Sequence, residues 1–159
     1  MTIKNLSHVA LGVRDVELQL PFWTNCVGLH VSLDSVEDVP GPEGTIRRRA
    51  VYLREAEGAH EPFIVLDQLM DGDSPGEAKA LFDVGVHHFG FWVDDVNSIA
   101  ERMVEADVPI VIGPVDSGTD RYGEPEGEFV RTLLVRDPEG NVIQFDQRVV
   151  GTTEAGNGA

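Results

Sequence analysis

The sequence contains one short pattern twice, about 80 residues apart. Residues 7–16 align with residues 87–96, and this alignment places His8 opposite His88. A second echo aligns residues 63–68 (Phe-Ile-Val-Leu-Asp-Gln) with residues 142–147 (Val-Ile-Gln-Phe-Asp-Gln). An internal repeat of this kind indicates that one structural unit occurs twice in the chain.

The hydrophobic periodicity predicts the same order of elements in each copy. Residues 6–13 alternate between apolar and small or polar types, which indicates a half-buried strand. Asp15 is predicted to cap a helix that Pro21 kinks or restarts and that stops at Gly28, and either Asp94 or Asp95 is predicted to cap a second helix. The second helix carries apolar residues at i, i+3, i+4, i+7 and i+8. The predicted fold class is α+β, with one βαβββ module at residues 1–70 and a second at residues 85–150.

The remaining segments are predicted to connect the modules and to end the chain. In residues 71–84, Ser74 and Glu77 have the spacing of a capping box, and proline takes the first helical position, so we expect a linker helix there. Residues 151–159 are small and polar with little to bury, and we expect this tail to be disordered.

The composition limits the kinds of partner. The 159 residues carry a formal net charge of -16, which disfavours nucleic acid and anionic membrane surfaces as partners and favours good solubility. The alternative interpretation of this charge is simply a well-solvated surface. The single cysteine, Cys26, requires no oxidising compartment, and the N-terminus lacks the pattern of a signal peptide. We therefore predict a cytoplasmic protein with no membrane span.

The matched histidines predict a metal site. If the two copies pack about a pseudo-twofold axis, His8 and His88 lie at equivalent strand positions and can meet in one cavity. Gln144, on the last strand of the second copy, can add an oxygen ligand. Two imidazoles and one oxygen suit a single divalent ion such as Zn, Ni, Co, Mn or Fe. The alternative is two histidines that are hydrogen-bonded in a polar pocket.

Both halves resemble the vicinal oxygen chelate superfamily, which contains glyoxalases, bleomycin resistance proteins and extradiol dioxygenases. The motifs are His8-x-Ala-x-x-Val-x-Asp, its echo from His88 to Val96, and the turn sequence from Val135 to Ile143. The resemblance implies an open, cup-shaped sheet and a homodimer. It also implies four metal-ligand positions, which fall on His8, Val65, His88 and Gln144. Valine cannot bind a metal ion, and glutamine stands where a glutamate is common.

The order Asp73-Ser74-Pro75, linker and Gly85-Val86-His87-His88 looks most like the methylmalonyl-CoA epimerase branch. This resemblance implies a divalent-metal-dependent lyase, isomerase or epimerase that acts on a small carbonyl substrate through a metal-bound enolate. Glu43 lies where similar epimerases carry a glutamate and is a candidate base, with Asp67 and Asp146 as alternatives. Glu43 is otherwise a solvated turn residue. The competing functions are an extradiol-type ring-cleaving dioxygenase and a metal-free protein that binds an antibiotic or metabolite.

Three further residues are candidates for substrate binding. Arg49 and Arg131 occupy matched positions and could clamp a carboxylate or phosphate, or could form salt bridges with the abundant acidic residues. Tyr122 lies in the polar segment 118–128 and could close over a ligand, or could belong to a surface loop. We expect Trp23 and Trp92 to lie in the core or in an interface, and His87 to point away from His88.

Overall fold

The order of strands and helices repeats along the chain, which confirms the predicted βαβββ modules and the α+β class. The first copy consists of β1 (His8–Val13), α1 (Val16–Pro21) with a π-helical turn (Phe22–Val27), β2 (His30–Gly41), β3 (Gly44–Arg54) and β4 (Phe63–Leu69). The second consists of β5 (Phe89–Trp92), α2 (Val96–Glu105), β6 (Ile110–Gly118), a 3-10 turn (Thr119–Tyr122), β7 (Phe129–Arg136) and β8 (Val142–Val149).

The computed structural model describes Ile3, residues 5–58 and residues 61–149. These residues form two compact units. The first unit extends to Ala78 and also includes Pro138–Gly140, and the second contains the rest of the chain from Lys79 onward. The predicted disordered tail at 151–159 lies outside the described residues.

Each unit contains one four-stranded mixed sheet with the same strand order. The orders are β1-β4-β3-β2 and β5-β8-β7-β6. In both units the first strand pairs in parallel with the last, and the other pairings are antiparallel. His8 is the register partner of Phe63, and Gly90 is the register partner of Gln144. The repeat in the sequence is therefore a repeat of topology.

One face of each sheet packs against the helix of its own unit, and the other face does not. Side chains alternate between the faces along each strand. In the first unit, Val13, Val51 and Leu66 are fully buried together with Val16 and Trp23 from the helical segment. In the second unit, the equivalent core contains Val96, Met103, Leu133, Ile143 and Phe145. We call the opposite side of each sheet the helix-free face.

The aspartate and the glutamine that the two copies share both bind the start of the helix in their own unit. Asp15 accepts a hydrogen bond from the amide of Glu17 at 2.9 Å, and Asp95 accepts hydrogen bonds from the amides of Asn97 and Ser98 at 2.9 and 3.2 Å. Asp15 is therefore the predicted N-cap, and of the two predicted alternatives, Asp94 and Asp95, the structure selects Asp95. The glutamines that the second echo keeps also serve the helices, because Gln68 and Gln147 accept hydrogen bonds from the amides of Val16 and Val96, each at 3.0 Å.

The first helix changes its winding at Pro21, where a kink was predicted. Proline has no amide hydrogen to continue the α-helical pattern. The chain continues from Pro21 as a π-helical turn and ends at Gly28, whose φ of 97° is left-handed. The amide of Gly28 donates to the carbonyl of Trp23 at 3.2 Å. Glycine adopts this backbone conformation without steric cost, so the predicted stop at Gly28 is confirmed.

The predicted linker helix is wrong. Residues 71–84 contain bends and a turn but no helix. Gly76 has a φ of 114°, which no residue in a right-handed helix can have, and it interrupts the capping pattern of Ser74 and Glu77. The segment also lacks a core to pack against, since the side chains of Phe82 and Val84 are almost fully exposed. Local capping signals form a helix only where tertiary packing supports it.

The second helix is amphipathic, as its spacing predicts. Val96, Ile99, Ala100 and Met103 are buried, whereas Val104, assigned to the same stripe, is exposed. The buried stripe is thus narrower than the sequence pattern. Among the described residues, no helix combines the length and the apolar character that crossing a membrane would require.

We predict that Asp95→Ala lowers the free energy of unfolding by about 1 kcal/mol, because two amides at the start of α2 lose their acceptor. Urea denaturation followed by circular dichroism measures this change. Asp94→Ala is the matched control, since Asp94 is the exposed neighbour outside the cap, and it should leave stability nearly unchanged. Equal destabilisation by both substitutions would contradict the capping role.

Candidate functional site

Three polar side chains surround one buried carboxylate on the helix-free face of the second unit. The carboxylate belongs to Asp146, which is 6% exposed. Its Oδ1 accepts hydrogen bonds from the hydroxyls of Tyr122 at 2.8 Å and Thr132 at 2.7 Å, and its Oδ2 accepts one from the amide nitrogen of Gln144 at 2.8 Å. We call Asp146, Tyr122, Thr132 and Gln144 the Asp146 quartet. Through these three hydrogen bonds, both oxygens of the buried carboxylate have partners.

Three elements that are distant in the sequence supply the quartet. Asp146 and Gln144 are two residues apart on β8 and therefore point to the same face. Thr132, on β7, is the register partner of Asp146. Tyr122 comes from the 3-10 turn of the predicted polar loop, and burial raises the pKa of its hydroxyl above the usual value. Tyr122 therefore stays protonated at neutral pH and acts as a donor.

An exposed tryptophan stands beside the quartet. Trp92 is the register partner of Asp146 on β5 and is 56% exposed. Its ring lies 5.9 Å from the ring of Tyr122, and the guanidinium carbon of Arg148 lies 4.7 Å from its centroid. Arg148 is held in turn by two hydrogen bonds to Glu124. Trp23 lies in the core, as predicted, whereas β5 places Trp92 on the helix-free face, so for Trp92 only the predicted interface position stays open.

His88 lies directly before β5, next to a second histidine. The Nδ1 atoms of His87 and His88 are 2.8 Å apart, so the predicted opposite orientation of His87 is wrong. The strand begins only at Phe89, and strand alternation therefore does not apply to this pair. Burial lowers the pKa of His88, the charge of His87 lowers it further, and Asp146 raises it. His88 is consequently neutral at pH 7.

The first unit carries a different arrangement on its helix-free face. Asp67, the counterpart of Asp146, accepts a hydrogen bond from Arg48 at 2.8 Å, and Arg48 also donates to Glu37 at 2.8 Å. His8 stacks on Phe63 with ring centroids 5.0 Å apart. This face thus holds an ion-paired carboxylate and a stacked histidine, whereas the second unit has three neutral donors around its carboxylate.

Two substitutions between the copies produce this difference. The register partner of Asp67 on β3 is Ala50, whereas Asp146 faces Thr132. The position two residues before the aspartate is Val65 in the first unit and Gln144 in the second. Alanine and valine have no polar atoms in their side chains, so only the second unit can form the quartet.

The predicted metal ligands do not form a complete set within either unit. In the first unit, Val65 is buried and has no donor atom, which leaves His8 alone. In the second unit, Gln144 turns its amide nitrogen towards Asp146, because a carboxylate accepts hydrogen bonds only. Over the described ranges, no group of three or more histidine, cysteine, aspartate or glutamate residues could hold a metal ion. The donor set fits a divalent ion poorly, and metal binding by His8, His88 and Gln144 stays a prediction.

The two predicted substrate arginines are occupied in salt bridges. Arg49 forms paired hydrogen bonds with Asp34 at 2.9 and 2.7 Å, and Arg131 forms the same pair with Asp116 at 2.7 and 2.8 Å. Arg49 also contacts Glu17 on α1, which places it on the helix side of its sheet. Arg131 alternates with Thr132 and so also faces away from the quartet. Both arginines thus form salt bridges with acidic residues, which was the alternative to substrate binding.

The candidate base Glu43 lies at the far end of its sheet from His8. His8 pairs with one end of β4, and Arg48 pairs with Leu69 at the other end, about 20 Å away along the strand. Glu43 lies five residues beyond Arg48, exposed in the turn between β2 and β3. This separation argues against Glu43 as a base beside His8 and favours the solvated turn.

Sequence reasoning did not identify Trp92 and Thr132 as site residues, and it assigned Asp146 only an alternative role. The signal that could have found Thr132 is its alignment with Ala50, because a difference between two copies marks where their chemistry diverges. Tyr122 is the predicted ligand-binding residue that the structure brings into the quartet.

The pKa values of two carboxyl groups of the first unit, Asp67 and Asp34, should be shifted in opposite directions. Burial raises the pKa of Asp67 above 3.8 against the opposing effect of Arg48, whereas the hydrogen bonds from Arg49 lower the pKa of Asp34 below 3.8. Stability contributed by Asp34 is present above pH 3.8 and is lost as pH falls through its folded pKa. The contribution of Asp67 is present below pH 3.8 and is lost as pH rises through its folded pKa.

Carbon-detected NMR titration of the side-chain carboxyls measures both values. Arg49→Gln is the internal control, since it should raise the midpoint of Asp34 and leave that of Asp67 in place. A midpoint for Asp67 at or below that of Asp34 would show that the ion pair with Arg48 outweighs burial.

We predict that Tyr122→Phe lowers the free energy of unfolding by about 2 kcal/mol, because a buried carboxylate loses a donor. Urea denaturation followed by circular dichroism measures the loss. Tyr52→Phe is the control, since Tyr52 is the other tyrosine of the chain and its hydroxyl bonds no carboxylate among the described residues. Wild-type stability of Tyr122→Phe would mean that the quartet does not hold its carboxylate through this bond.

Comparison with known proteins agrees with this architecture. The chain is 22% identical over 149 residues to the virulence protein STM3117 of Salmonella typhimurium, covering 94% of this chain and 88% of that protein. A glyoxalase family protein from Bacillus cereus superposes with a TM-score of 0.70 at 14% identity, covering 95% of this chain and 97% of that one. TnmS3, an antibiotic binding protein from Streptomyces sp. CB03234, superposes with a TM-score of 0.59 at 24% identity, covering 94% and 99%.

The family itself follows from the match to a family model. The model for the glyoxalase/bleomycin resistance protein/dioxygenase superfamily matches residues 5–145, nearly all of the described chain. The repeated βαβββ topology is the fold that the sequence resemblance implied. This chain belongs to the glyoxalase/bleomycin resistance protein/dioxygenase superfamily.

Proposed function

We propose that this protein binds a small organic molecule on the helix-free face of its second unit, through hydrogen bonds and aromatic contact and without a resident metal ion. The observation that carries the proposal is the Asp146 quartet beside the exposed ring of Trp92. Ligand sites in proteins combine an apolar or aromatic surface with a few fixed polar groups. The similarity to TnmS3 supports this proposal only through the shared fold.

The order of the polar groups supports binding. Each donor of the quartet is directed at Asp146, so the side chains are fixed before a ligand arrives and lose little conformational entropy on binding. The ring of Trp92 contacts the ring of Tyr122 and the guanidinium of Arg148, and Arg148 is itself paired with Glu124. A half-exposed indole in a fixed orientation can bury a large apolar area against a ligand.

The second candidate is a divalent-metal-dependent lyase, isomerase or epimerase, with His8, His88 and Gln144 as ligands. The observation that favours it is the repeated topology, which gives each unit a histidine at its first strand, His8 in β1 and His88 directly before β5. The epimerase-like branch, the extradiol dioxygenase alternative and the homodimer implied by the resemblance stay predictions. Val65 and the orientation of Gln144 are the reasons for placing this candidate second.

Elemental analysis of untagged protein purified without chelators separates the two candidates. Binding without metal predicts a metal content far below one ion per chain, equal in wild type and in His8→Ala and His88→Ala. A fragment screen by ¹H–¹⁵N NMR should then shift amides around β5 and β8 in wild type, and less so in Tyr122→Phe. Near-stoichiometric metal that both histidine substitutions remove would overturn the proposal and establish the metalloenzyme candidate.

A further inference from the structure

The Asp146 quartet has already used its hydrogen-bond donors internally. A hydroxyl carries a single hydrogen, and those of Tyr122 and Thr132 both point to Asp146. One hydrogen of the Gln144 amide also goes to Asp146, and the nitrogen lies 3.4 Å from the oxygen of Tyr122. The quartet therefore has no strong donor left for a ligand.

What the quartet still offers is acceptors. The carbonyl oxygen of Gln144 receives no hydrogen bond from any described residue, and Gln144 is partly exposed. The hydroxyl oxygens of Tyr122 and Thr132 keep lone pairs after donating their hydrogens. The orientation of the Gln144 amide is fixed by chemistry, because reversing it would set its oxygen against the carboxylate of Asp146.

The surroundings of the quartet set the shape of a ligand. Trp92 is 56% exposed and offers a ligand the part of its indole that Tyr122 and the Arg148 guanidinium, 4.7 Å over the ring, do not cover. A depression of about 380 Å³ borders Trp92 and is lined by Trp92, Val93, Asp94, Gln147 and Arg148, so it gives room beside the indole rather than at Gln144. This volume lies at the lower end of the range for small-molecule sites, and a ligand that reaches the quartet extends out of the depression across Trp92. Asp94 adds another acceptor at its edge.

We propose that the ligand of the second unit is a planar aromatic molecule that carries hydroxyl or amino groups as hydrogen-bond donors. The inference rests on the proposed function, that this face binds a small organic molecule. The ring stacks on Trp92, and its donors meet the carbonyl oxygen of Gln144 and the hydroxyl oxygen of Tyr122. The net charge of -16 acts in the same direction, since it favours neutral or cationic ligands over anions.

The opposite specificity follows for ligands that have acceptors only. A methoxy or keto oxygen placed at Gln144 would face another acceptor, and both groups would lose their hydrogen bonds to water without replacement. Aromatic stacking alone gives no such discrimination, because every flat ring covers the indole equally. Discrimination by donors is therefore the property that separates this ligand class from general aromatic binding.

Three naphthalene probes of the same ring size test the proposal on the whole chain by isothermal titration calorimetry. These are 2,3-dihydroxynaphthalene, 2,3-diaminonaphthalene and 2,3-dimethoxynaphthalene. We expect the dihydroxy and diamino compounds to bind about tenfold or more tightly than the dimethoxy compound, the ratio expected when about 1.4 kcal/mol of hydrogen bonding is lost. The diamino compound tests whether donors other than hydroxyls give the same preference, and Gln144→Met separates this preference from the greater bulk of the methoxy groups.

Two substitutions assign the effect to the named side chains. Trp92→Ala should weaken the binding of all three probes, and Gln144→Met should remove most of the preference for donors while leaving stacking intact. Leu18→Ala is the matched control for loss of an exposed apolar side chain, since Leu18 lies on α1 and is 67% exposed. Circular dichroism verifies that each variant is folded, and Tyr122→Phe replaces Gln144→Met if the latter is not.

The outcomes distinguish the ligand class from the proposed function. Equal or tighter binding of the dimethoxy compound, or a donor preference unchanged in both quartet variants, overturns the ligand class and leaves small-molecule binding in place. Failure of all three probes, while fragments of other chemistry shift amides on β5 and β8, has the same meaning. Failure of every probe and every fragment overturns the proposed function itself.

Discussion

In each unit, one glutamine on the strand that comes last in the sequence binds the start of the helix. Gln68 and Gln147 accept the amide hydrogens of Val16 and Val96, which have no partner inside the helix. The contact fixes which face of the strand lies under the helix. Because side chains alternate, the preceding aspartate must then point to the helix-free face. The position of the candidate site therefore depends on a hydrogen bond at the opposite side of the sheet.

The same scaffold presents its aspartate to different chemistry in the two units. Asp67 is paired with Arg48, and burial raises its pKa despite this partner. Asp146 is held by hydroxyl and amide groups and lies beside the exposed Trp92. The hydrogen bonds to Asp146 fix the orientation of these neutral side chains before a ligand arrives. The duplicated module thus supplies the framework, and a few substitutions on one face produce a site in one copy only.

The sequence predicted the elements well wherever periodicity and capping agreed with packing. The strands, the helix after Asp95 and the stop at Gly28 are examples, because alternation, an N-cap and a left-handed glycine each act locally. The helix predicted at 71–84 is absent, because its capping pattern has no apolar face to support a helix and contains Gly76 in a left-handed conformation. Superfamily membership was also accessible from the repeated motifs, and the family match confirms it.

The site was only partly predictable. The sequence by itself determined the repeat, the topology and the candidate residues His88, Gln144 and Tyr122, because these follow from local pattern and from alignment of the copies. Only the tertiary structure decided that Gln144 turns its amide towards Asp146, that Tyr122 and Thr132 join it, and that Arg49 is bound to Asp34. The physical reason is that these contacts join residues from different strands and loops, and their geometry is set by register and face, which no local pattern encodes.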